Sequence, residues 1–554
     1  MGPLEHTARW AKATADTSLE MAYGRPSKPW SGWPGKAQRW PPKEICPSEK
    51  EYHERQPFTP ARIVMHALFR LYSVLVALGA LCALLAPASA QTEQAAREFL
   101  TLHPDNGHYF LWRDQPAVLI TSGEHYGALL NLDFDYQRYL DELQKHGLNH
   151  TRVFSGVYRE NAESFQITEN TLAPKQDRYI APWARSDQTG YRGGGNRFNL
   201  SQWDQAYFAR LQDLLTQAAK RGIVVELTLF CPMYEDSMWD LSPMNAANNI
   251  NGVGTCPRDQ AHTLQHRDLL DVQLAVTRRI VSELKDHGNL YYEVCNEPYF
   301  GGVTLQWQHA ITDAIVEAEK DSPHKHLISM NIANGRARVE QPHPAISIFN
   351  FHYCVPPDAV AMNFGLNKAI GENETGFRGS DDILYRTEAW DFLLAGGSLF
   401  NNLDYSFSAS HPDGSLRDYK SSGGGSPELR EQLGVLKKFL EGFKFIRMQP
   451  GTDIVRRVSD GMIAAVLAER GQAYAIYLHV PLPVKPEKIE DHLRDNAQVT
   501  LVLHLPPAAY SLQWLDPVTG RIALIDRIDH AGGDCELRTP QFANDIALRL
   551  KRTH

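Results

Sequence analysis

Asn289–Phe300, NLYYEVCNEPYF, is the stretch on which the reading of this chain turns. Leu290 to Cys295 is a short apolar run with aromatic and β-branched residues, the composition of a buried strand. Pro298 has no N–H to give to a ladder, so the strand stops at Asn296-Glu297-Pro298. An amide and a carboxylate therefore stand at the C-terminal end of a strand. In a barrel of alternating strands and helices, that end carries the catalytic groups. Three residues match by chance often enough that their meaning rests on the sequence around them.

Outward from this stretch the texture alternates. Pro116–Thr121, Leu148–Phe154, Ile223–Phe230, Leu290–Cys295, His326–Met330, Ala345–Phe351, Lys368–Glu374 and Ser398–Leu403 read as strands. Asp133–His146, Gln202–Arg221, Leu264–His287, Thr304–Asp321, Ile383–Ala395 and Pro427–Phe443 have helical spacing. Gly147, Gly222 and Gly288 close the first three. Eight strand-then-helix units, with the fifth helix and the sixth loop irregular, predict a parallel α/β sheet. Their length, about 330 residues, suits a closed (β/α)8 TIM barrel with enlarged loops. An open doubly wound sheet is the other architecture, and no Gly-rich phosphate turn supports it.

Two connections, 155–201 and 231–263, are long enough to read as functional loops. The first carries Tyr158, Trp183, Tyr191 and Gly193-Gly194-Gly195, a run with no helix start beside it that reads as flexible loop. The second carries Tyr234, Glu235, Asp236 and Trp239. After Pro450-Gly451 come seven short strand signals: Asp453–Val458, Met462–Glu469, Ala473–His479, Gln498–His504, Tyr510–Asp516, Arg521–Asp526 and Asp545–Lys551. Turns such as Asp460-Gly461, Thr519-Gly520 and Gly532-Gly533 separate them. Residues 91–450 are thus expected to form the barrel and 451–554 a small β-sandwich without a catalytic cluster.

Residues 1–64 are rich in Trp, Pro, Lys and Glu without any period, and read as a disordered extension. Met65–Arg70 is a basic start, Leu71–Leu85 an apolar centre, and Ala88-Ser89-Ala90 a small-residue site. Together they predict a signal peptide at 65–90, with Met65 as the true start, and hence a secreted or periplasmic protein. A membrane anchor is the alternative, but the run is short for a span. Of seven cysteines, Cys46 and Cys82 precede the expected cut. Cys231, Cys256, Cys295, Cys354 and Cys535 remain, without CxxC or metal spacing. A Cys231–Cys256 disulfide and buried free thiols both fit. The net charge is −9 with no long basic run, which argues against a nucleic-acid partner.

The strand ends can now be taken together. Glu297 ends the fourth strand and Glu374 the seventh, so a closed barrel brings both carboxylates to one mouth. Two carboxylates are the minimum for cleaving a glycosidic bond. One protonates the leaving oxygen, and the other attacks the sugar or activates water. A gap of about 5 to 5.5 Å means a nucleophile and retention, and a wider gap means inversion.

The NEP ending of strand four, with a glutamate ending strand seven, resembles clan A glycoside hydrolases, the family 5 cellulase-like (β/α)8 barrels. Lys368–Gly376, KAIGENETG, is similar to their nucleophile strand, with Ala369 in place of a proline. The resemblance implies Glu297 as acid/base and Glu374 as nucleophile. Glu372 is a rival, two residues earlier and so on the same face of a regular strand; Thr375-Gly376 favours Glu374. It also implies that Arg152 holds the nucleophile with its positive charge, that Asn296 binds a sugar 2-hydroxyl, and that His352 and Tyr353 orient the nucleophile. Glu124 and His125, ending strand one, either bind sugar hydroxyls or stabilise a turn. One or two of Tyr126, Tyr158, Trp183, Tyr234 and Trp239 are expected to stack on sugar. Asp404-Tyr405-Ser406-Phe407 departs from the tryptophan usual after strand eight.

The expected function is retaining hydrolysis of O-glycosidic bonds in a poly- or oligosaccharide. No metal or organic cofactor, no nucleic acid and no membrane span after signal cleavage are expected. The Glu297 carboxyl is expected to be raised by the second carboxylate. A catalytically inactive carbohydrate-binding barrel is the alternative from another class. An esterase would need a GxSxG elbow, which is absent.

Overall fold

The structure, a computed structural model, describes residues 98–553. The expected extension 1–64, the signal peptide 65–90, Cys46 and Cys82 lie outside the described residues. Eight parallel strands make one sheet. They are β1 (Leu119–Gly123), β2 (His150–Phe154), β3 (Val224–Phe230), β4 (Leu290–Cys295), β5 (Leu327–Asn334), β6 (Ile348–His352), β7 (Ala369–Glu374) and β8 (Leu399–Leu403). The ladder runs β1-β8-β7-β6-β5-β4-β3-β2. At the remaining seam, between β1 and β2, a side chain takes over from the backbone. Asn149 accepts from the Ile120 N–H at 2.9 Å and donates to the Val118 carbonyl at 2.9 Å, while its own N–H reaches the Ile120 carbonyl at 3.3 Å. The sheet thus closes as a (β/α)8 barrel.

Every residue of β1–β4 and β6–β8 is buried. Strands covered on both faces lose the period-2 alternation, which is why they read as continuous apolar runs. Outside them lie Tyr136–Lys145, Gln205–Lys220, Arg267–Leu284, Leu305–Ala318, Asp382–Leu394 and Pro427–Glu441. Side chains of Asp135, Asp204, Thr304 and Ser426 accept the first free N–H groups of four of them and fix where they begin. β5 passes to β6 without a helix, and the short helix Asp358–Asn363 and a 3-10 turn, Phe364–Leu366, stand between β6 and β7.

Two expectations are corrected. The run Pro116–Thr121 is divided: Gln115–Ala117 pairs antiparallel with Asn106–Trp112, which pairs with Thr101–His103. This small sheet closes the N-terminal end of the barrel, where Leu100, Phe110 and Trp112 pack on the early strand residues Leu119, Val224, Tyr291, Ile348, Ala369 and Leu399. The connection 155–201 contains a hairpin, Trp183–Thr189 with Asn196–Trp203. The glycine triplet is part of its turn, with Gly194 and Gly195 at φ 96° and 81°, where a side chain would be strained. Cys231 and Cys256 are not bonded, and all five described cysteines are free thiols. Among the described residues no helix is long and apolar enough to cross a membrane.

The C-terminal strands are antiparallel and form two packed sheets. One contains Gln449–Pro450, Ile463–Glu469, Ala473–His479, Asp545–Arg552, Ala508–Leu515 and Ile522–His530, in that spatial order. The other contains Val455–Val458, Thr500–Leu505 and Gly533–Arg538. The sheets share a core that includes Val466, Ile476, Leu501, Leu512, Trp514 and Leu548. Gly533–Arg538 was not expected, because GDCELR turns only Cys535 and Leu537 inward and opens on a turn residue.

A buried polar joint fastens this sandwich to the barrel. Arg386, on the helix after β7, grips Asp545 with Nε at 2.8 Å and Nη2 at 2.9 Å. Tyr477 donates to Asp545 at 2.7 Å, and Trp390 stacks on Tyr477 with ring centroids 4.8 Å apart. Removing one partner of a buried pair leaves the other charge uncompensated. Arg386→Met should therefore cost about 3–5 kcal/mol of unfolding free energy in a guanidinium titration at pH 7. A loss below 1 kcal/mol would show that the joint carries little of the stability.

Candidate active site

Inside the barrel, below its mouth, the side chains are polar. Arg152 on β2 is completely buried. Its Nε donates to Glu293 Oε2 at 3.0 Å, its Nη2 to Asn296 Oδ1 at 2.7 Å and its Nη1 to Glu374 Oε2 at 3.1 Å. Its guanidinium also lies 4.6 Å from the Tyr126 ring centre. Asn373 donates to Glu293 at 2.8 Å and to Glu226 at 3.0 Å. Burial, and then the Glu293 charge, push Glu226 up to about 8, so it is largely neutral at pH 7. This layer fixes Arg152, and Arg152 fixes what lies above it.

The end of β7 departs from a regular strand. Phe351 pairs with Glu372, but the next residue, His352, pairs with Glu374, so Asn373 is an extra residue in the ladder. Asn373 points into the barrel, and the bulge brings Glu374 round to the mouth as well. Glu372 instead faces the helix layer, where it accepts from the Cys354 N–H at 2.5 Å. Burial, and then Glu388 beside it, push its carboxyl well above the usual carboxylate range. The expectation that Glu372 and Glu374 share a face is thereby corrected.

At the mouth each carboxylate oxygen accepts at least one protein hydrogen bond. Tyr353 Oη donates to Glu374 Oε1 at 2.5 Å, and Tyr126 Oη to Glu374 Oε2 at 3.1 Å. Tyr234 Oη donates to Glu297 Oε2 at 2.6 Å, and Tyr299 Oη to Glu297 Oε1 at 3.2 Å. His352 Nδ1 lies 3.2 Å from Glu297 Oε1 and 3.6 Å from Glu374 Oε1. One oxygen of Glu297, one of Glu374 and one nitrogen of His352 all fall within 4.8 Å of one another. This donor set could reach around a divalent cation. The tyrosines, His352 and Arg152 already fill the carboxylate oxygens, however, an arrangement that suits bare anions better than metal ligands. Tyr126, Glu297 and Tyr353 hold left-handed φ values of 65°, 33° and 56°. Such conformations cost about 1–3 kcal/mol each and gather at functional sites.

The upward shift expected for Glu297 is reversed. Burial does favour its neutral form, but donors from His352, Tyr234 and Tyr299 outweigh it and hold the carboxyl below its ordinary value.

Arg152, Asn296, His352, Tyr353 and Tyr126 converge on the two glutamates, and Asn296 also donates to Tyr234 at 2.9 Å. His125 lines the same cleft against Asn170 at 3.2 Å, and burial lowers its imidazole to about 4. Glu124 does not reach the cleft. It accepts from the Ala128 N–H at 2.9 Å and the Thr171 hydroxyl at 2.8 Å, stabilising the turn after β1. Tyr234 and Tyr126 face the cleft, whereas Tyr158, Trp183 and Trp239 are buried in their own loops. Tyr405 lines the cleft where a tryptophan was looked for, its hydroxyl 2.7 Å from Ser422 Oγ.

Several groups at the cleft escaped the sequence. Tyr299 follows the NEP turn and was visible but unweighted. Glu160, Phe165 and Phe377 sit in loops where no period points to a face. Glu160 is buried and accepts from Tyr158 at 3.0 Å and Asn170 at 2.6 Å; burial pushes it up to about 7. Among the described residues, three carboxylates and neither Lys nor Arg line the cleft.

No protein-family model and no curated protein matches the chain. Solved structures do share its architecture. A glycoside hydrolase family 5 protein from Bacteroides vulgatus ATCC 8482 superposes with a TM-score of 0.52 at 13 % identity, over 83 % of this chain and 95 % of its own. A further chain from that organism gives 0.57 at 14 %, over 83 % of each chain. A protein named only as a glycoside hydrolase gives 0.53 at 12 %, over 83 % of this chain and 98 % of its own. At such identities the likeness is one of fold.

Arg152→Met would strand Glu293 and Glu374 as buried carboxylates facing each other. A loss of about 3–5 kcal/mol is expected in chemical denaturation at pH 7. An unchanged midpoint would mean that Arg152 is not the counter-charge of this layer.

Proposed function

We propose that this chain is a retaining glycoside hydrolase of a neutral poly- or oligosaccharide, with Glu297 as acid/base and Glu374 as nucleophile. The observation that carries the reading is the approach of the two carboxylates. An oxygen of each lies within 4.8 Å of the other at the C-terminal mouth of the barrel, nearer than the roughly 6.5–9.5 Å that an inverting pair leaves for water and on the side of the spacing of about 5 to 5.5 Å of double displacement. The shared fold with solved glycoside hydrolases adds support. The absence of Lys and Arg from the lining supports a neutral rather than an acidic glycan.

In the first step Glu374 attacks the anomeric carbon while Glu297 gives its proton to the leaving oxygen. The glycosidic bond breaks and an ester to Glu374 forms. Tyr126, Tyr353 and Arg152 hold the nucleophile in position. In the second step the Glu297 carboxylate takes a proton from water, the hydroxide attacks the ester carbon of the sugar, and Glu374 is released.

Glu297 must carry a proton to begin. Its carboxyl sits below the ordinary value, so the protonated fraction falls as pH rises above that point. Between pH 7 and pH 5, kcat/KM on an aryl glycoside should therefore rise with acidity, approaching about tenfold per unit. Tyr299→Phe removes one donor from Glu297 and should move the alkaline limb to higher pH. A limb that stays in place would show that Tyr299 does not tune the acid.

The reading is tested with a panel of aryl glycosides and neutral polysaccharides. Glu297→Gln and Glu374→Gln should each lose about 10²–10⁴-fold in kcat/KM on the polysaccharide that wild type cleaves. Glu372→Gln should stay within a few-fold, because that carboxyl faces the helix layer and not the cleft. Unimpaired turnover by the first two variants would refute the assignment. Polysaccharide binding without any cleavage by wild type would make the chain an inactive carbohydrate-binding barrel.

A further inference from the structure

Two phenylalanines at the rim of the cleft are placed in a way that packing does not explain. Phe165, in the connection after β2, is 43 % exposed, and Phe377, just after β7, is 39 % exposed. Both hold left-handed φ, 54° and 59°, which is strained for a bulky side chain. Exposure and strain both work against the free fold.

Their neighbours give the arrangement a direction. Phe165 meets Tyr234 edge to face at 5.7 Å and 88°, and Tyr234 donates to Glu297. Phe377 meets Tyr353 at 5.5 Å and 86°, and Tyr353 donates to Glu374. Each exposed ring thus backs onto the tyrosine that holds one glutamate, and both rings line the cleft. One segment after β8 ties the two loops together. Lys420 and Thr168 exchange two hydrogen bonds of 2.9 Å, and the Ser422 carbonyl accepts from the Phe377 N–H at 2.5 Å. Each ring is therefore backed by its own tyrosine and carried by a loop that the same segment ties down.

We infer that Phe165 and Phe377 form an aromatic clamp, a subsite that takes the apolar C–H face of an uncharged sugar ring adjoining the reacting one. Of the preceding reading, the inference uses only that the cleft holds carbohydrate. Carbohydrate suits the clamp because a sugar ring offers apolar faces to aromatic rings and hydroxyls to Glu160 and the tyrosines. An acidic ring would meet three carboxylates and no cation among the lining residues.

The test is affinity electrophoresis of the whole chain in native gels containing galactomannan, xyloglucan or mixed-linkage β-glucan, with polygalacturonate as the acidic polymer. Wild type should be retarded by at least one neutral polymer and not by polygalacturonate. Phe165→Ala and Phe377→Ala should each weaken that dissociation constant about tenfold, the size expected of one aromatic anchor. The Trp variants should restore it. Phe377→Gly, which relieves the left-handed φ, should lose retardation with a Tm within about 3 °C of wild type, a split that a purely structural phenylalanine would not give. The inference is overturned if no neutral polymer retards wild type, if the Ala variants run as wild type, or if polygalacturonate retards it. Turnover is scored separately. Cleavage of an aryl glycoside with Phe-independent retardation sinks the clamp and leaves the hydrolase. Phe-dependent retardation that persists in Glu374→Gln while wild type cleaves nothing sinks the hydrolase and leaves the clamp.

Discussion

The guanidinium of Arg152 is the group on which the rest of the site depends. It is a full positive charge with no access to water, and it survives there only because Glu293, Asn296 and Glu374 surround it with acceptors. Glu226, kept largely neutral by burial and by Glu293, adds an acceptor without adding a second full charge. The buried layer therefore holds one cation whose charge Glu293 answers from below and Glu374 from above. Asn296, next to Glu297 in the chain, is pinned by the same cation, so both glutamates take their positions from one residue.

Around that charge the chain leaves regular geometry at the mouth of the barrel. A bulge at Asn373 reassigns the faces of β7. Left-handed φ at Tyr126, Glu297 and Tyr353 swings three strand-end side chains over the mouth. A barrel that is packed on both faces and sealed below by Phe110 and Trp112 supplies the stability against which this strain is set. The sandwich contributes as well, because Arg386 and Asp545 tie it to the helix that follows the bulged strand. Its place in the molecule is that of a buttress on the barrel.

The donors at the mouth explain why proximity alone misjudged Glu297. Bringing a second carboxylate close raises a glutamate only if nothing else answers the charge. Here a histidine and two tyrosines point at Glu297, two tyrosines and an arginine at Glu374, and the balance tips toward ionisation of Glu297. Tyrosine is well suited to this task. Its hydroxyl donates, while its ring forms part of the wall of the cleft.

The sequence by itself determined the barrel, the sandwich and the strand ends carrying Glu297 and Glu374. Each of these is written locally, as runs of apolar residues closed by proline, glycine or a capping side chain. The resemblance of its motifs to clan A glycoside hydrolases also pointed to Arg152, Asn296, His352 and Tyr353. Only the tertiary structure put Glu372 and Glu374 on different faces, since the face of a residue follows from a period of two only while pairing stays regular, and the bulge is set by the neighbouring strand. Only the structure withdrew Glu124 into a turn, divided Pro116–Thr121 between two sheets, closed the seam through Asn149 and gathered Tyr299, Glu160, Phe165 and Phe377 at the cleft. Those outcomes depend on which distant groups become neighbours, and no local pattern of residues encodes that.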